Sequence, residues 1–516
     1  MNQASTISNP FYRAALSLRD TYLLRSFFAG LLIPCGFAPF HLPGLAILGM
    51  ALFFSQLRQQ TLKQSIAIGF FFGFGFLGLG VSWIYVSIHE YGHLNAILSA
   101  LVTLLFIIYL ACYPALVALV YHKLAKKRSL LFTCVLFSAL WCLGEYLRAT
   151  TMGGFPWLLL GFGQIDTPLK YLLPIFGVFG VGFITCLCAT LLAASTQLKG
   201  SVRYLWLFAF IALLIAPSLL KNKAWSTISS TPVSVAIIQP NLSIRDKWDE
   251  PLFWQLLQRY EDALGQLIGK KQLIVMPESA IPLPANYISD FIDTIDQKAK
   301  RMGSAVLLGM PRPTPANENA YYNTLTTLGS ADGSYFKQQL VPFGEFIPEF
   351  MLRITNWLSI PVANMKPGKA NQPLIRVQNH PVASLICYEL AYPQLLRKQL
   401  PNAEWIVSIS DDGWFGHSLA MYQQLQMAQV LSIQTGRFQV VANKDGLSSV
   451  IDTHGDLTAS LPVFTSGILE TTLYPATGAS PWVYLGDLPI LLVCLFVLFI
   501  ACCASVMIRK PINTLI

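Results

Sequence analysis

Charge is what this sequence lacks most. Only 12% of its 516 residues are Asp, Glu, Lys or Arg, where an ordinary soluble domain carries about 25%. With 54% hydrophobic residues, that deficit argues against a wholly soluble protein and against a disordered chain. Cysteine is nearly missing from the polar part of the chain. Nine of the ten cysteines fall in apolar runs and only Cys387 lies outside them, a distribution that excludes a disulfide scaffold. There is no Walker loop, dinucleotide fingerprint, internal repeat or low-complexity segment. Acidic residues are short outside the stretch 221–483, which holds 20 Lys/Arg and 21 Asp/Glu, against 15 and 5 in the remainder. The formal net charge of +9 therefore belongs to the apolar part. That pattern suits membrane topology and not a phosphate-binding surface, so no nucleic-acid partner is expected.

What is present is a series of long apolar runs. Spanning a bilayer takes about 20 mostly apolar residues. Eight candidates are Ser26–Phe40, Gly44–Leu57, Ser65–Ile88, Asn95–Tyr121, Leu130–Leu147, Tyr171–Ser195, Tyr204–Leu220 and Leu488–Ile508. The first two are short enough for a tilted or re-entrant pair. The third carries Gly69, Gly73, Gly75, Gly78 and Gly80 among phenylalanines, a spacing that lets helices approach closely. Basic residues mark one side. Arg13, Arg19, Arg25, Arg58, Lys63, Lys123, Lys126, Lys127, Arg128, Lys199, Arg203, Arg509 and Lys510 fall in alternate segments, and only Arg148 and Lys170 in the opposite short loops. Lys/Arg bias sets orientation, so both termini are expected in the cytoplasm and the stretch 221–483 outside. The first apolar run leads straight into further spans and is not expected to be a cleaved signal peptide. The chain thus divides into a bundle (1–220), an external domain (221–483) and a final span with its tail (484–516).

From Pro232 short β-branched runs alternate with helix-like stretches. Strands are expected at Ser234–Ile238, Leu273–Met276, Ala305–Gly309, Asn323–Leu328, Val382–Cys387, Trp405–Ser408 and Gln439–Asn443, and helices at Pro251–Leu267, Asp290–Arg301 and Met421–Gln434. This alternation indicates a layered α/β domain.

Cys387 ends an apolar strand abruptly. A nucleophile on a tight turn at a strand's end is presented to a cleft, where backbone N–H groups can face an oxyanion. Two other strand ends carry charge: Glu278 follows Leu273–Pro277, and Lys337 follows Tyr335-Phe336. Alone, either reads as half of a structural ion pair. Together they supply what a cysteine needs for acyl transfer: a base for the thiol proton and a cation for the thiolate and the tetrahedral oxyanion.

In this order, Glu, Lys, Cys resembles the triad of the nitrilase superfamily. A nitrilase-like domain outside a membrane bundle resembles the apolipoprotein N-acyltransferase family, over nearly the whole chain. The resemblance rests on Phe37-Ala38-Pro39-Phe40, Trp83 with Ser87-Ile88-His89 and Gly92, and Trp141, Glu145, Arg148 and Gly154-Phe155-Pro156-Trp157 in the bundle. Outside it rests on Gln239-Pro240-Asn241 with Lys247-Trp248, Pro277-Glu278-Ser279-Ala280, Tyr322-Asn323, Lys337 through Pro342-Phe343-Gly344-Glu345, Cys387-Tyr388-Glu389 and Asp412-Gly413-Trp414-Phe415-Gly416. It implies about eight spans plus an external αββα sandwich. It also implies a ping-pong reaction without metal or cofactor. Cys387 takes the sn-1 acyl chain of a phospholipid, usually phosphatidylethanolamine, and passes it to the α-amino group of a diacylated lipoprotein. Glu278 would be the base and Lys337 an oxyanion partner. Glu345 would support the triad, and Trp248, Tyr388 and Glu389 would act in substrate access or positioning. The chain departs from the family pattern at Asp411, Gln429, Leu431, Gln434 and Lys444-Asp445, which bears on substrate preference and rate more than on reaction class.

A membrane-tethered amidase or hydrolase would carry the same triad, and a transporter or receptor would need charges along a path through the spans. Few charges lie there, so the latter ranks low. Nothing demands more than a monomer. His89, Glu90 and His93 read as an interfacial polar cluster, and Glu145 with Arg148 as an ion pair. Trp414, Phe415, Trp482 and Tyr484 could meet lipid at the bilayer surface, with core packing an equal reading for Trp414 and Phe415.

Overall fold

The computed structural model describes residues 10–92, 94–242, 250–284, 287–315, 317–342, 344–347 and 364–509. The eight apolar runs all form helices. Six are long and apolar enough to cross a membrane: Leu62–Gly80, Ala96–Leu124, Leu130–Gly153, Pro168–Ser195, Ser201–Leu220 and Leu488–Ser505. Two shorter apolar helices, Thr21–Gly36 and Pro43–Gln56, precede them.

The glycine stripe does what its spacing predicts, with one exception. A methyl group on Gly69 would lie 2.6 Å from the Pro114 carbonyl oxygen, one on Gly73 2.9 Å from the Ala111 Cα, and one on Gly75 2.2 Å from the Phe27 carbonyl oxygen. Helix Leu62–Gly80 therefore lies directly on both its neighbours, at distances that exclude any side chain. Gly78 meets only the Ile107 side chain at 4.0 Å and is not required for packing. Thr61 starts the helix with a capping box closed by Gln64.

The external part is a four-layer αββα sandwich. In chain order its strands are β1 (Val233–Gln239), β2 (Leu273–Val275), β3 (Ala305–Thr314), β4 (Asn317–Gly329), β5 (Ala331–Asp332), β6 (Ser334–Phe336), β7 (Ile375–Val377), β8 (His380–Ile386), β9 (Trp405–Ser410), β10 (Gln439–Asn443), β11 (Ser449–Ile451), β12 (Leu457–Ser460) and β13 (Gly467–Leu473). One sheet runs β13-β1-β2-β3-β4-β6, and the other β12-β11-β10-β9-β8-β7-β5. Side chains alternate across each strand. Val235 and Ile237 join the large cluster that also holds Val382, Ile386, Val407 and Ile409 of the second sheet. Ala236 and Ile238 instead pack with Phe253, Leu256, Tyr260 and Leu264 of helix Glu250–Leu267.

The second outer helix, Ala420–Thr435, covers the β8–β10 sheet through Leu425, Ala428 and Leu431. Its other side meets the bundle. Gln426 Oε1 accepts from the Ala38 N–H at 3.1 Å, Gln423 Oε1 from Trp157 Nε1 at 2.6 Å, and Gln423 Nε2 donates to the Gly80 carbonyl at 3.4 Å. The helix is buried on all sides because a membrane bundle replaces solvent on its polar face.

All ten helices and strands read from the external sequence are present, with ends moved by a few residues. The strands missed were chiefly β7, β11, β12 and β13. β13 pairs with β1 at the sheet edge, where one-sided cover leaves most of its residues half-exposed and the hydrophobic alternation faint. One interfacial reading and one ion-pair reading are corrected. Trp482 does not meet lipid: it is fully buried, and its Nε1 donates to Asp487 Oδ1 at 2.8 Å. Tyr484 is exposed. Glu145 and Arg148 each hold backbone in place of one another. Glu145 Oε1 accepts from the Leu160 N–H at 2.8 Å, and Arg148 Nη1 donates to the Phe155 and Trp157 carbonyls at 3.0 and 2.6 Å. His89 Nδ1 lies 3.0 Å from the Leu94 carbonyl oxygen, and His93 lies outside the described residues.

Candidate active site

The three chemistry-bearing strand ends converge. Glu278 follows β2 and comes to rest over β3, where only a glycine fits: a methyl on Gly309 would be 2.6 Å from the Glu278 Cα. Lys337 follows β6. Cys387 follows β8 and opens a 3₁₀ turn, Cys387–Ala391. Its φ of +54° is unusual for a side-chain-bearing residue, and such strain collects at active sites.

Lys337 Nζ lies 3.3 Å from Glu278 Oε1 and 2.9 Å from Glu345 Oε1. Asn323 Nδ2 bridges the same two carboxylates at 2.6 and 3.1 Å. The remaining oxygens are also held: Glu278 Oε2 accepts from the Asp411 N–H at 3.0 Å, and Glu345 Oε2 from the Val341 N–H at 2.8 Å. Burial pulls the Lys337 ammonium down, but Glu278, Glu345 and Cys387 outweigh it and the net shift is well upward. Lys337 is therefore a fixed cation. Burial pushes the Cys387 thiol well up and Glu278 adds to this, against the opposing pull of Lys337 and a hydrogen bond from Ser410. The resting sulfur thus keeps its proton, and an attack must hand that proton to a base.

Glu389 is an anchor beneath the site. Its carboxylate accepts from the backbone N–H groups of Gln338, Gln339 and Ile386 at 2.6, 3.1 and 2.8 Å and from the Tyr335 hydroxyl at 3.1 Å. One fully buried side chain thus ties the segment after Lys337 to the residue before Cys387. Burial pushes its carboxyl up to about 7 against the pull of those N–H donors. In Glu389→Gln, either amide orientation turns an NH₂ toward N–H donors. The substitution is expected to cost about 1–3 kcal/mol of stability and to slow alkylation of Cys387. Thermal unfolding and peptide mass spectrometry measure both; a wild-type midpoint would remove the anchoring role.

Tyr388 stacks on Trp157 of the bundle, with ring centroids 6.5 Å apart and planes 17° apart. Trp414 is partly exposed and packs on Tyr91, and its carbonyl accepts from the Ser87 hydroxyl at 2.7 Å. Phe415 packs between Trp83 and Trp157. Trp248 and Lys247 lie outside the described residues. Of the departures, Asp411 and Lys444 form a buried pair at 3.4 Å, with Asp445 buried beside them. Gln429 Nε2 donates to the Gly455 carbonyl at 2.8 Å, and Leu431 and Gln434 are buried.

The bridging role of Asn323 was not read from the sequence. Its signal was an asparagine inside a strand rich in Thr and Leu, where asparagine is normally depleted. A buried thiol, carboxylate and ammonium in this arrangement can carry an acyl group on sulfur and stabilise the oxyanions on either side of it.

Comparison with known proteins adds independent findings. The family model "Apolipoprotein N-acyltransferase N-terminal domain" matches residues 29–191, and "Carbon-nitrogen hydrolase" matches residues 234–480. The apolipoprotein N-acyltransferase of Pseudomonas syringae pv. tomato is 35% identical over 90% of this chain and 94% of its own. That of Coxiella burnetii is 33% identical over 92% and 98%. Among solved structures, an amidase from Nesterenkonia sp. is 17% identical and covers 48% of this chain and 92% of its own, with a TM-score of 0.34.

Proposed function

Because the chain belongs to the apolipoprotein N-acyltransferase family, we propose that it transfers its acyl group through a thioester on Cys387. The chain is an acyltransferase of lipoprotein maturation and a multi-pass protein of the bacterial inner membrane. In the proposed cycle Glu278 takes the thiol proton as sulfur attacks the sn-1 ester carbonyl of a phospholipid, probed first with phosphatidylethanolamine. Lys337 and a backbone N–H after Cys387 hold the tetrahedral oxyanion. The ester C–O bond breaks, Glu278 returns the proton to the leaving alkoxide, and lysophospholipid departs. The lipoprotein's α-amino group then attacks the thioester and loses a proton to Glu278. The C–S bond breaks, the thiolate recovers that proton, and an amide remains. Glu345 and Asn323 keep Lys337 and Glu278 in register, Tyr388 and Trp414 border the path of the substrate, and Trp248 takes part in its access.

The observation that carries this reading is Lys337 Nζ at 3.3 Å from Glu278, both acting electrostatically on the Cys387 thiol. The Lys/Arg bias supports cytoplasmic termini, with the 221–483 domain on the periplasmic side of the 1–220 bundle and the 484–516 span. One chain holds the whole triad, which supports a monomer.

Full-length protein in phosphatidylethanolamine vesicles, without acceptor, is expected to gain one hydroxylamine-labile acyl group on Cys387 by peptide mass spectrometry. Adding a diacylated lipopeptide is expected to discharge it into triacylated peptide, with lysophospholipid in equal amount. Free fatty acid as the sole product would make water the acceptor and overturn the transferase cycle. An acyl group on another residue would overturn the role of Cys387.

A further inference from the structure

One short turn of the membrane bundle reaches the segments that carry both the nucleophile and the lysine. It follows helix Leu130–Thr150, and three successive residues have positive φ: Met152 at +53°, Gly153 at +90° and Gly154 at +76°. Glycine adopts such angles freely, so the strain falls on Met152, and a side-chain-bearing residue in this conformation persists only where its surroundings impose it. Here they do. The Gly154 N–H donates to the Thr151 carbonyl at 2.9 Å and the Phe155 N–H to the Arg148 carbonyl at 2.8 Å. Thr151 Oγ1 donates to the Leu147 carbonyl at 2.8 Å and lies 2.6 Å from the Tyr113 hydroxyl. Arg148 and Glu145 hold the following segment by its backbone.

The effect of this shape is to leave two glycine carbonyls facing the catalytic domain. The Gly153 oxygen accepts from Tyr392 Oη at 3.2 Å and from Gln339 Nε2 at 3.4 Å. The Gly154 oxygen accepts from Tyr392 Oη at 3.1 Å and Tyr388 Oη at 3.3 Å. Tyr392 Oη also lies 3.2 Å from Tyr388 Oη, an alternative partner for its single hydroxyl hydrogen. Tyr388 adjoins Cys387, Tyr392 adjoins the turn that Cys387 opens, and Gln339 lies two residues beyond Lys337. No glycine side chain intervenes, and a methyl on Gly154 would lie 2.1 Å from the Ala149 carbonyl oxygen.

We propose that the Gly153–Gly154 turn is a positioning element of the catalytic site, with Tyr392 its principal contact, setting the Cys387 turn and the Lys337 segment in mutual register from the membrane side. Holding the two halves of the molecule together does not require it. Gln426, Gln423 and Ser87 already bond across the same boundary at other places. What distinguishes this contact is that its donors flank two members of the triad. Displacing a reacting group by about 1 Å costs on the order of a hundredfold in rate, so loss of these bonds should be read in the chemical step.

The inference rests on the thioester cycle proposed above, and the test separates the two. Full-length wild type, Tyr392→Phe and Gln339→Ala are compared in phosphatidylethanolamine vesicles. Tyr392→Phe keeps the ring that meets Tyr388 edge-on at 5.2 Å and removes only the hydroxyl. Single-turnover acylation of Cys387, and alkylation of Cys387 by iodoacetamide quantified on its peptide, are both expected to slow roughly tenfold or more in Tyr392→Phe. KM for the lipopeptide should stay near its wild-type value. Gln339→Ala should slow the same steps by a smaller factor. Wild-type rates in Tyr392→Phe, or a lowered unfolding midpoint with both rates intact, would overturn the positioning role. A wild-type protein that forms no acyl-Cys387 would instead sink the thioester cycle.

Discussion

Cys387→Ala is expected to show no acyl transfer, a loss of roughly 10⁴-fold or more, while the chain still folds and enters the membrane. In the proposed cycle the sulfur is the nucleophile, and both half-reactions pass through it. Its removal takes one small group from a turn whose shape is set elsewhere: Glu389 holds the Ile386 N–H, and Tyr388 is stacked on Trp157. The fold should therefore survive the change. Cys387→Ser keeps a hydroxyl at the same place, but a hydroxyl is a poorer nucleophile and its ester discharges more slowly to an amine. It should retain little transfer or none. Lipopeptide acylation, measured beside thermal unfolding of the same preparation, checks this. Appreciable transfer by a folded Cys387→Ala protein would disprove the covalent route.

Lys337→Met should produce the second largest effect, and unlike the cysteine variant it should damage both rate and stability. In the wild type one buried ammonium serves two carboxylates, Glu278 at 3.3 Å and Glu345 at 2.9 Å. Without it, two negative charges share a nearly dry space with only Asn323 between them. Breaking a buried ion pair from one side costs about 3–5 kcal/mol, and removal of an oxyanion partner costs about 10²–10³-fold in rate. Chemical denaturation and single-turnover acylation report the two effects separately. Lys337→Arg should not restore activity, because a planar fork cannot occupy the volume of a compact ammonium. An undiminished acylation rate in Lys337→Met would remove the lysine from the chemistry.

The site was legible in unequal parts. Glu278, Lys337 and Cys387 stand out as candidates because each follows a short apolar or aromatic run, and a charge or thiol at such a point is visible within a few residues of sequence. Glu389 stood beside Cys387 and was read as a residue of substrate access or positioning. Its four donors come from residues 335 to 386, and no local pattern announces that they meet one carboxylate. Asn323 was visible as part of a motif but not as the bridge between Glu278 and Glu345. That role depends on β4 lying beside β3 in one register, since a one-residue slip would turn its side chain to the opposite face. Glu145 and Arg148 illustrate the converse. Their spacing of three on a helix suggests a pair, yet a returning loop offered backbone partners that no spacing rule contains.

The sequence by itself determined the apolar bundle and the alternation of strands and helices that follows it, and it singled out three candidate residues for the chemistry. Each of these follows from the length of a hydrophobic run, a period of two or 3.6, or a break at the end of a run, and all are properties of neighbours along the chain. Only the tertiary structure decided what surrounds those three residues: a second carboxylate on the lysine, an amide between two acids, an anchor under the turn, and tyrosines reaching two glycine carbonyls of the bundle. Those partners lie as far apart as residues 153 and 392. Their meeting depends on how two sheets stack and how a membrane bundle docks on one outer helix, and hydrogen-bond direction at such a junction is set by geometry that no short stretch of sequence carries.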